Sequence, residues 1–294
     1  VEQCSLTIRF FQEKETMRFK RKMLPIFTAS VAMPLLTRAA VATVVNIPAA
    51  QDATLLGGTD ATTNQSLADP GLLVGTDGSN NPKRSVIEFN IAGAVPAGAT
   101  ITGVTLQLTV GQVAGSGGGS GGGSSSAQTI SLYDETQAWG QPTNVAGATS
   151  FGGTGHGGAP QAGDATWNYA FYGATPWTIA GGDWTASSTD IADASVTGTL
   201  TAFNWSSSAM VTDVQDWLNT PASNDGWLLK NPVENVATNF RAFWSAQGAA
   251  ADNNPALAPD LIVTYSTVPE PASLLLLGTG LIAVLCRRRR AVLG

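Results

Sequence analysis

The sequence predicts an all-β protein, an antiparallel jelly-roll-like β-sandwich with one short helix, set between an N-terminal signal segment and a C-terminal transmembrane helix. Short apolar runs alternate with turn-rich stretches of Gly, Ser, Thr, Asn and Asp through the middle of the chain. One helical pattern falls between those runs, where a parallel α/β fold would require one after most strands. Both ends are composed like addresses, not like folded structure.

The N-terminal address runs from Met17 to Ala42. Arg18, Lys20, Arg21 and Lys22 form a basic opening, Met23 to Leu36 is mostly apolar, and Ala40-Val41-Ala42 supplies a small-residue cleavage pattern. Residues 1–16 precede this leader and read as an over-extended start, which leaves residues 43–267 as the folding domain.

Within the domain, "SVIEFNI" places Ile87, Phe89 and Ile91 on one face and Val86, Glu88 and Asn90 on the other, the period of a half-buried strand. After a turn at Pro96 to Gly98, the next strand alternates through Val104, Leu106, Leu108 and Val110. Ile101 is out of phase with that set, and a bulge at Gly103 restores it. Further strands are expected at 129–133, 199–204, 226–229, 239–245 and 260–265. The helix falls on "SSAMVTDVQDWLNTP", where Met210, Val211, Val214, Trp217 and Leu218 share a face, serines 206 to 208 offer a cap and Pro221 follows the end. The tract at 115–126, "GSGGGSGGGSSS", reads as a long loop between strands, because Gly and Ser bury too little apolar area to offset ordering entropy.

Charge narrows the partners. Between Thr43 and Glu270 only Lys83, Arg84, Lys230 and Arg241 are basic, against eighteen carboxylates, a net charge of −14. Such a surface repels phosphate backbones, so nucleic acid is excluded as a partner, while neutral glycans and cations remain open. The two cysteines, Cys4 and Cys286, lie outside the domain. Stability must therefore come from a hydrophobic core, and neither a thiol nucleophile nor a thiolate metal site is available.

All eight tryptophans fall between Trp139 and Trp244. Exposed indoles stack on sugar faces, and Trp177 and Trp184, which bracket "TIAGGD", with Trp167 are the candidate glycan-stacking residues. Trp217, Trp227 and Trp244 sit on patterned elements and are expected in the core. "TDGSNN" offers Asp77, Ser79 and Asn81 at alternate positions, the spacing of a calcium loop, without the closing glutamate of an EF-hand; a structural calcium is the one cofactor considered. Catalytic residues are not indicated. His156 stands in a Gly-rich run with no carboxylate at motif spacing, and Gly118-Ser120-Gly122 matches a nucleophile elbow only because the tract is repetitive.

Several stretches resemble the DNRLRE family of secreted bacterial domains: "KRSVIEFNIAGAVPAGATITGVTLQLTV", "DATWNYAFYGATPWTIAGGDW" at 164–184, "VTDVQDWLNTPASNDGWLLK" at 211–230 and "PDLIVTY" near the end. The resemblance covers roughly Asp52 to Tyr265, leaves out the Gly/Ser tract, and implies a jelly-roll β-sandwich similar to carbohydrate-binding modules of the cell surface.

The closing "VPEPASLLLLGTGLIAVLCRRRR" resembles a PEP-CTERM sorting tail, with Pro269, Glu270 and Pro271 followed by an apolar stretch and Arg287, Arg288, Arg289 and Arg290. Fifteen residues from Ala272 to Cys286 reach about 22 Å as a helix, short of the ~30 Å hydrocarbon core. Snorkelling arginines make up the difference and hold the C-terminus in the cytoplasm. The resemblance implies that an exosortase processes the tail near Pro-Glu-Pro, after an inner-membrane-anchored intermediate. The combined expectation is a non-enzymatic protein of the cell envelope or extracellular matrix, binding or building the extracellular polysaccharide layer. The alternatives are a small polysaccharide hydrolase or lyase, and a structural matrix protein with no glycan ligand.

Overall fold

A computed structural model describes residues 41–65, 71–113, 128–143, 157–194 and 200–267. The leader up to residue 40, the Gly/Ser tract, His156 and the tail from residue 268 lie outside the described residues. The protein is mostly β. Its strands are β1 (Ala42–Leu56), β2 (Gly71–Thr76), β3 (Pro82–Phe89), β4 (Thr100–Val113), β5 (Gln128–Asp134), β6 (Tyr169–Phe171), β7 (Thr175–Pro176), β8 (Asp190–Ala194), β9 (Ala202–Trp205), β10 (Trp227–Lys230), β11 (Arg241–Trp244) and β12 (Asp260–Ser266). Helices α1 (Ile91–Ala94), α2 (Ser208–Asn219) and α3 (Ala246–Ala251), with 3-10 turns at Gly58–Asp60, Pro221–Ser223 and Pro255–Leu257, complete the described elements.

Every named pairing is antiparallel. The strand order is β1-β12-β4-β11-β2-β3-β10-β5-β8, with β9 on β4, and β1 also pairs with β3. The path through β1, β12, β4, β11, β2 and β3 therefore returns to β1. Three strands change partners to make this closure. β1 pairs with β12 from Ala42 to Pro48 and with β3 from Ala49 onward. β4 passes from β12 to β11, and β2 from β11 to β3. The turn in β1 coincides with Pro48, which has no N–H to donate, and with an irregularity between Ala49 and Gln51.

The main core is built from alternate residues of these strands, including Ile87, Phe89, Val104, Leu106, Leu108, Leu132, Trp227, Phe243 and Val263. The expected bulge in β4 is present one residue early. Thr264 faces Gly103 while Tyr265 faces Ile101, so Thr102 is the extra residue and both Ile101 and Val104 point inward. Trp205 packs edge-on against Phe243 at 5.8 Å and donates its Nε1 to the Ile130 carbonyl at 3.2 Å. α2 forms as expected, with Ser207 accepting from the Met210 amide, and it docks through Trp217 on Trp227 at 4.6 Å between ring centres.

Helix number and layering differ from the sequence expectation. Besides α2 there are two short helices, each started by a side-chain cap: Asn90 accepts from Gly93 in α1, and Ser245 accepts from Gly248 in α3. More consequentially, β1, β3, β5 and β10 are covered on both faces. Val86, Leu228, Leu55 and Ala53 turn away from the main core into a second one, completed by Trp139, Ala165, Ala170 and Trp177 from the chain between β5 and β8.

Trp205→Ala is expected to destabilise the purified domain by about 3 to 5 kcal/mol through cavity formation. Val233→Ser, at a side chain 46% exposed, is expected to change stability by less than about 0.5 kcal/mol. Urea denaturation of residues 43–267 checks both.

Candidate functional site

The chain between β5 and β8 lies over the outer face of β1, β3, β10 and β5, and its attachment centres on Arg84 of β3. Arg84 is 7% exposed. Its Nε and Nη2 donate to the two carboxylate oxygens of Glu234 at 2.7 and 2.8 Å, and Nη1 donates to the Gly181 carbonyl at 2.9 Å. The guanidinium lies 4.7 Å from the ring centre of Trp167 and 4.7 Å from that of Trp184. Lys230 stands 5.1 Å from the Trp184 ring and 3.6 Å from Glu234. A planar, weakly hydrated cation is suited to such stacking. Gly181 has φ +94°, and a Cβ there would come within 2.5 Å of Arg84 Nη1, so this position takes glycine on both conformational and steric grounds.

Asp183 shapes the loop beside this cluster. Its Oδ2 accepts from the Thr178 amide at 2.7 Å and its Oδ1 from the Ile179 amide at 2.8 Å, which closes the segment between Trp177 and Trp184. Outside it lies an open cleft of about 490 Å³ lined by Thr136, Gln137, Thr178, Ile179, Asp183 and Trp184. Ile179 is 62% exposed at its rim. One indole, one exposed isoleucine, the Asp183 carboxylate and a few hydroxyl and amide groups make an apolar platform with scattered hydrogen-bonding groups.

The three tryptophans singled out from the sequence are brought together around this region but take different roles. Trp184 lines the cleft and is half-buried. Trp167 is half-buried, and its ring is packed so closely that a Cβ at either Gly57 or Gly181 would lie 2.9 Å from it. Trp177 is inside the second core, 5% exposed, with its Nε1 donating to the Thr166 carbonyl at 2.8 Å. The stacking role expected for Trp177 is corrected by this burial. The segment folds back onto the sheet, so the indole faces the protein.

At the expected calcium loop, Asp77 and Asn81 are engaged by the turn and its neighbours. Asp77 turns the β2–β3 hairpin, its Oδ1 accepting from the Ser79 and Asn81 amides at 2.8 and 2.9 Å. Its Oδ2 accepts from the Asn81 side chain at 3.2 Å and lies 3.4 Å from Lys83 Nζ. Burial opposes ionisation, but the two amides and Lys83 together hold this carboxyl below its usual range. Lys83 Nζ also lies 3.7 Å from Asp60, and Asn81 Oδ1 accepts from the Thr59 amide at 3.0 Å.

Glu135 had no distinguishing sequence signal. It lies under the Trp184 cleft, 1% exposed, and its Oε1 accepts from the amides of Thr136 and Asp183 at 3.2 and 3.0 Å. Burial pushes its carboxyl up to about 8, with the nearby Asp183 charge adding to the effect and the amide hydrogen bonds opposing it. A neutral carboxylic acid beneath a cleft suggests a general acid, yet Glu135 is sealed beneath the surface and no carboxyl oxygen reaches the cleft. Its role is to brace the Asp183 turn.

A carboxyl raised from 4.5 to about 8 on folding binds a proton in the folded state that the unfolded chain has already released. Stability therefore falls as pH rises between those values, by roughly 1.4 kcal/mol per pH unit for one fully buried group. Asp52, buried at the N-terminus of α3 and pushed up to about 7, acts in the same direction. The melting temperature is expected to drop between about pH 5 and pH 8. Glu135→Gln, which mimics the neutral acid, is expected to flatten that slope and to raise stability at the alkaline end. Calorimetry across the pH range checks this.

No curated protein matches the chain. Residues 267–290 match the PEP-CTERM protein-sorting motif. The match contains Pro269, Glu270, Pro271 and the arginines at 287 to 290 named from the sequence. This chain therefore carries the sorting tail of an exosortase substrate, a signal that implies export and a membrane-anchored intermediate in the envelope.

Proposed function

We propose that this protein is an exported, non-enzymatic β domain that exosortase processing delivers to the cell surface, where it serves as a binding or structural component of the extracellular polysaccharide layer. The sorting motif at residues 267–290 is the observation that carries the reading. The closed antiparallel pairing supports a jelly-roll β-sandwich, consistent with the resemblance to DNRLRE domains, and the net charge of −14 in the exported stretch suits a soluble surface protein.

Glycan contact, on this reading, uses the cleft beside Trp184, with Ile179 as the second apolar wall and Thr178, Thr136 and Gln137 as polar partners. A second reading, a matrix protein without a ligand, is favoured by one observation. Trp177 is buried, and Trp167 and Trp184 are already engaged by Arg84. A hydrolase or lyase would need converging accessible carboxylates. Glu135 beneath the cleft is buried, and Asp183 spends both oxygens on backbone amides.

Affinity electrophoresis of residues 43–267 against neutral and charged polysaccharides, with product analysis, separates the three. Retardation without products, weakened about tenfold by Trp184→Ala, is expected for the binding protein. Unchanged mobility on every polymer favours the ligand-free matrix protein, and new reducing ends would establish an enzyme. Alanine at Pro269, Glu270 and Pro271 together is expected to retain the chain in the membrane fraction of cells that release the wild type, as read by immunoblot.

A further inference from the structure

Three strands end side by side where the sorting tail begins. Tyr265, next to the end of β12, pairs with Thr43 of β1 on one side and with Ile101 of β4 on the other, and the last residue, Ser266, pairs with Thr100 of β4. The point from which the tail leaves is thus held in the interior of the sheet. Only Thr267 and Val268 separate it from Pro269. At ~3.3 to 3.6 Å per residue, Pro269 lies within about 10 Å of this sheet end however the chain runs. The apolar stretch after it is about 8 Å short of a typical hydrocarbon core, which draws the preceding residues toward the headgroups.

The sheet end is uncharged across all three strands. Its exposed residues include Thr43, Val44, Ala97, Gly98, Thr100 and Thr102, none of them charged, and Val44 is 60% exposed. β4 carries no charged residue along its length, and β1 has none before Asp52. The nearest charge in the three strands is Asp260, six residues back along β12, or about 20 Å at the usual strand rise. α2 presents neutral Gln215 here, bonded to the Ile101 amide and the Ala99 carbonyl, while the adjacent Asp216 acts on Asp134 and Asp213. The −14 domain as a whole is repelled by an anionic leaflet.

We propose that this uncharged end of the sheet, formed by the start of β1, the start of β4 and the end of β12, rests on the lipid bilayer while the sorting tail is in the membrane. The inference builds on the sorting-tail reading above and adds an orientation: strands upright, Val44 and Thr102 at the headgroups, and the Trp184 cleft displayed on a domain that cannot tumble freely. With the leader cut after Ala42, the α-ammonium of Thr43 adds a cation at this same end, which favours anionic lipid. The peptidase therefore meets its Pro-Glu-Pro at the junction of a docked domain and the membrane, not on a free linker.

The test uses the leader-processed full chain, in a Cys286→Ser background, reconstituted in phosphatidylethanolamine–phosphatidylglycerol vesicles without exosortase. An environment-sensitive fluorophore is placed at Thr102→Cys or, as the remote control, at Ala256→Cys, and quenched by lipids labelled near the headgroup. Quenching at Thr102→Cys at least about threefold that at Ala256→Cys is expected. A Gly-Ser spacer of about ten residues after Thr267, with a mean span of roughly 17 Å, leaves the domain's sequence untouched and is expected to abolish the difference. Glutamate at Thr43 and Thr100 together is expected to do the same.

Equal quenching at both positions, or none at Thr102→Cys in vesicles that carry the protein through flotation, overturns the docking while leaving the tail reading intact. Failure of the chain to float with the vesicles overturns both. Protection of Thr102→Cys only after purified exosortase is added assigns the contact to the enzyme and overturns the bilayer proposal.

Discussion

Arg84 sits inside the protein with every direction of its guanidinium taken: a bidentate carboxylate from Glu234, the Gly181 carbonyl, and the rings of Trp167 and Trp184. Removing one partner of a buried ion pair commonly costs about 3 to 5 kcal/mol, because the remaining charge is stranded. Each desolvated stacking contact adds roughly 1 to 2 kcal/mol. The second core depends on this group. Ala165, Ala170 and Trp177 of that core lie on a segment with little regular structure, which covers Ala53, Leu55, Val86 and Leu228, and Arg84 ties that segment to the middle of the sheet. The cleft wall follows from the same tie, since Gly181 and Trp184 lie on either side of Asp183.

The closed antiparallel sheet explains why such a segment can be carried at all. Main-core residues such as Phe89, Leu106, Trp205 and Phe243 are fully buried in a cluster separate from that of the outer layer. The outer layer is then free to use polar devices: Asp164 accepting from Asn64, Thr143 and Gln161, and Asp183 and Glu135 bracing adjacent turns. Functional loops are drawn from such less deeply packed layers, and here the layer holds most of the exposed polar and aromatic groups of the cleft.

Much of the sheet was legible in the sequence because one-face burial imposes a period of two. The phase change between Ile101 and Val104 required a bulge, and Thr102 supplies it. Trp217, Trp227 and Trp244 fell in the core as their patterned positions indicated. β1 was not legible. "ATVVNIPAAQDATLL" contains Pro48 and Asp52, and it belongs to two pairings whose faces bury different residues, which erases any single alternation. β2 was missed because Leu72 and Val74 enter the main core while Leu73 packs elsewhere, so its run reads as uniformly apolar. At the candidate site the sequence pointed to Trp184 and Trp167, but the burial of Trp177 depends on a sheet face distant in the chain. Arg84 was visible only as one of four basic residues in an acidic domain, with no local sign of its partner Glu234.

The central claim is that Arg84 holds the outer layer and its cleft to an otherwise self-sufficient sheet. Hydrogen exchange of wild type and Arg84→Met, compared amide by amide at one pH, tests it most directly. Exchange at Thr178, Ile179 and Asp183 is expected to speed up by at least about tenfold, while β4 and β12 remain protected, because the loop opens without unfolding the sheet. Unchanged exchange at those three amides would show that Arg84 does not hold the layer, and uniform acceleration across the domain would show that layer and sheet open as one unit.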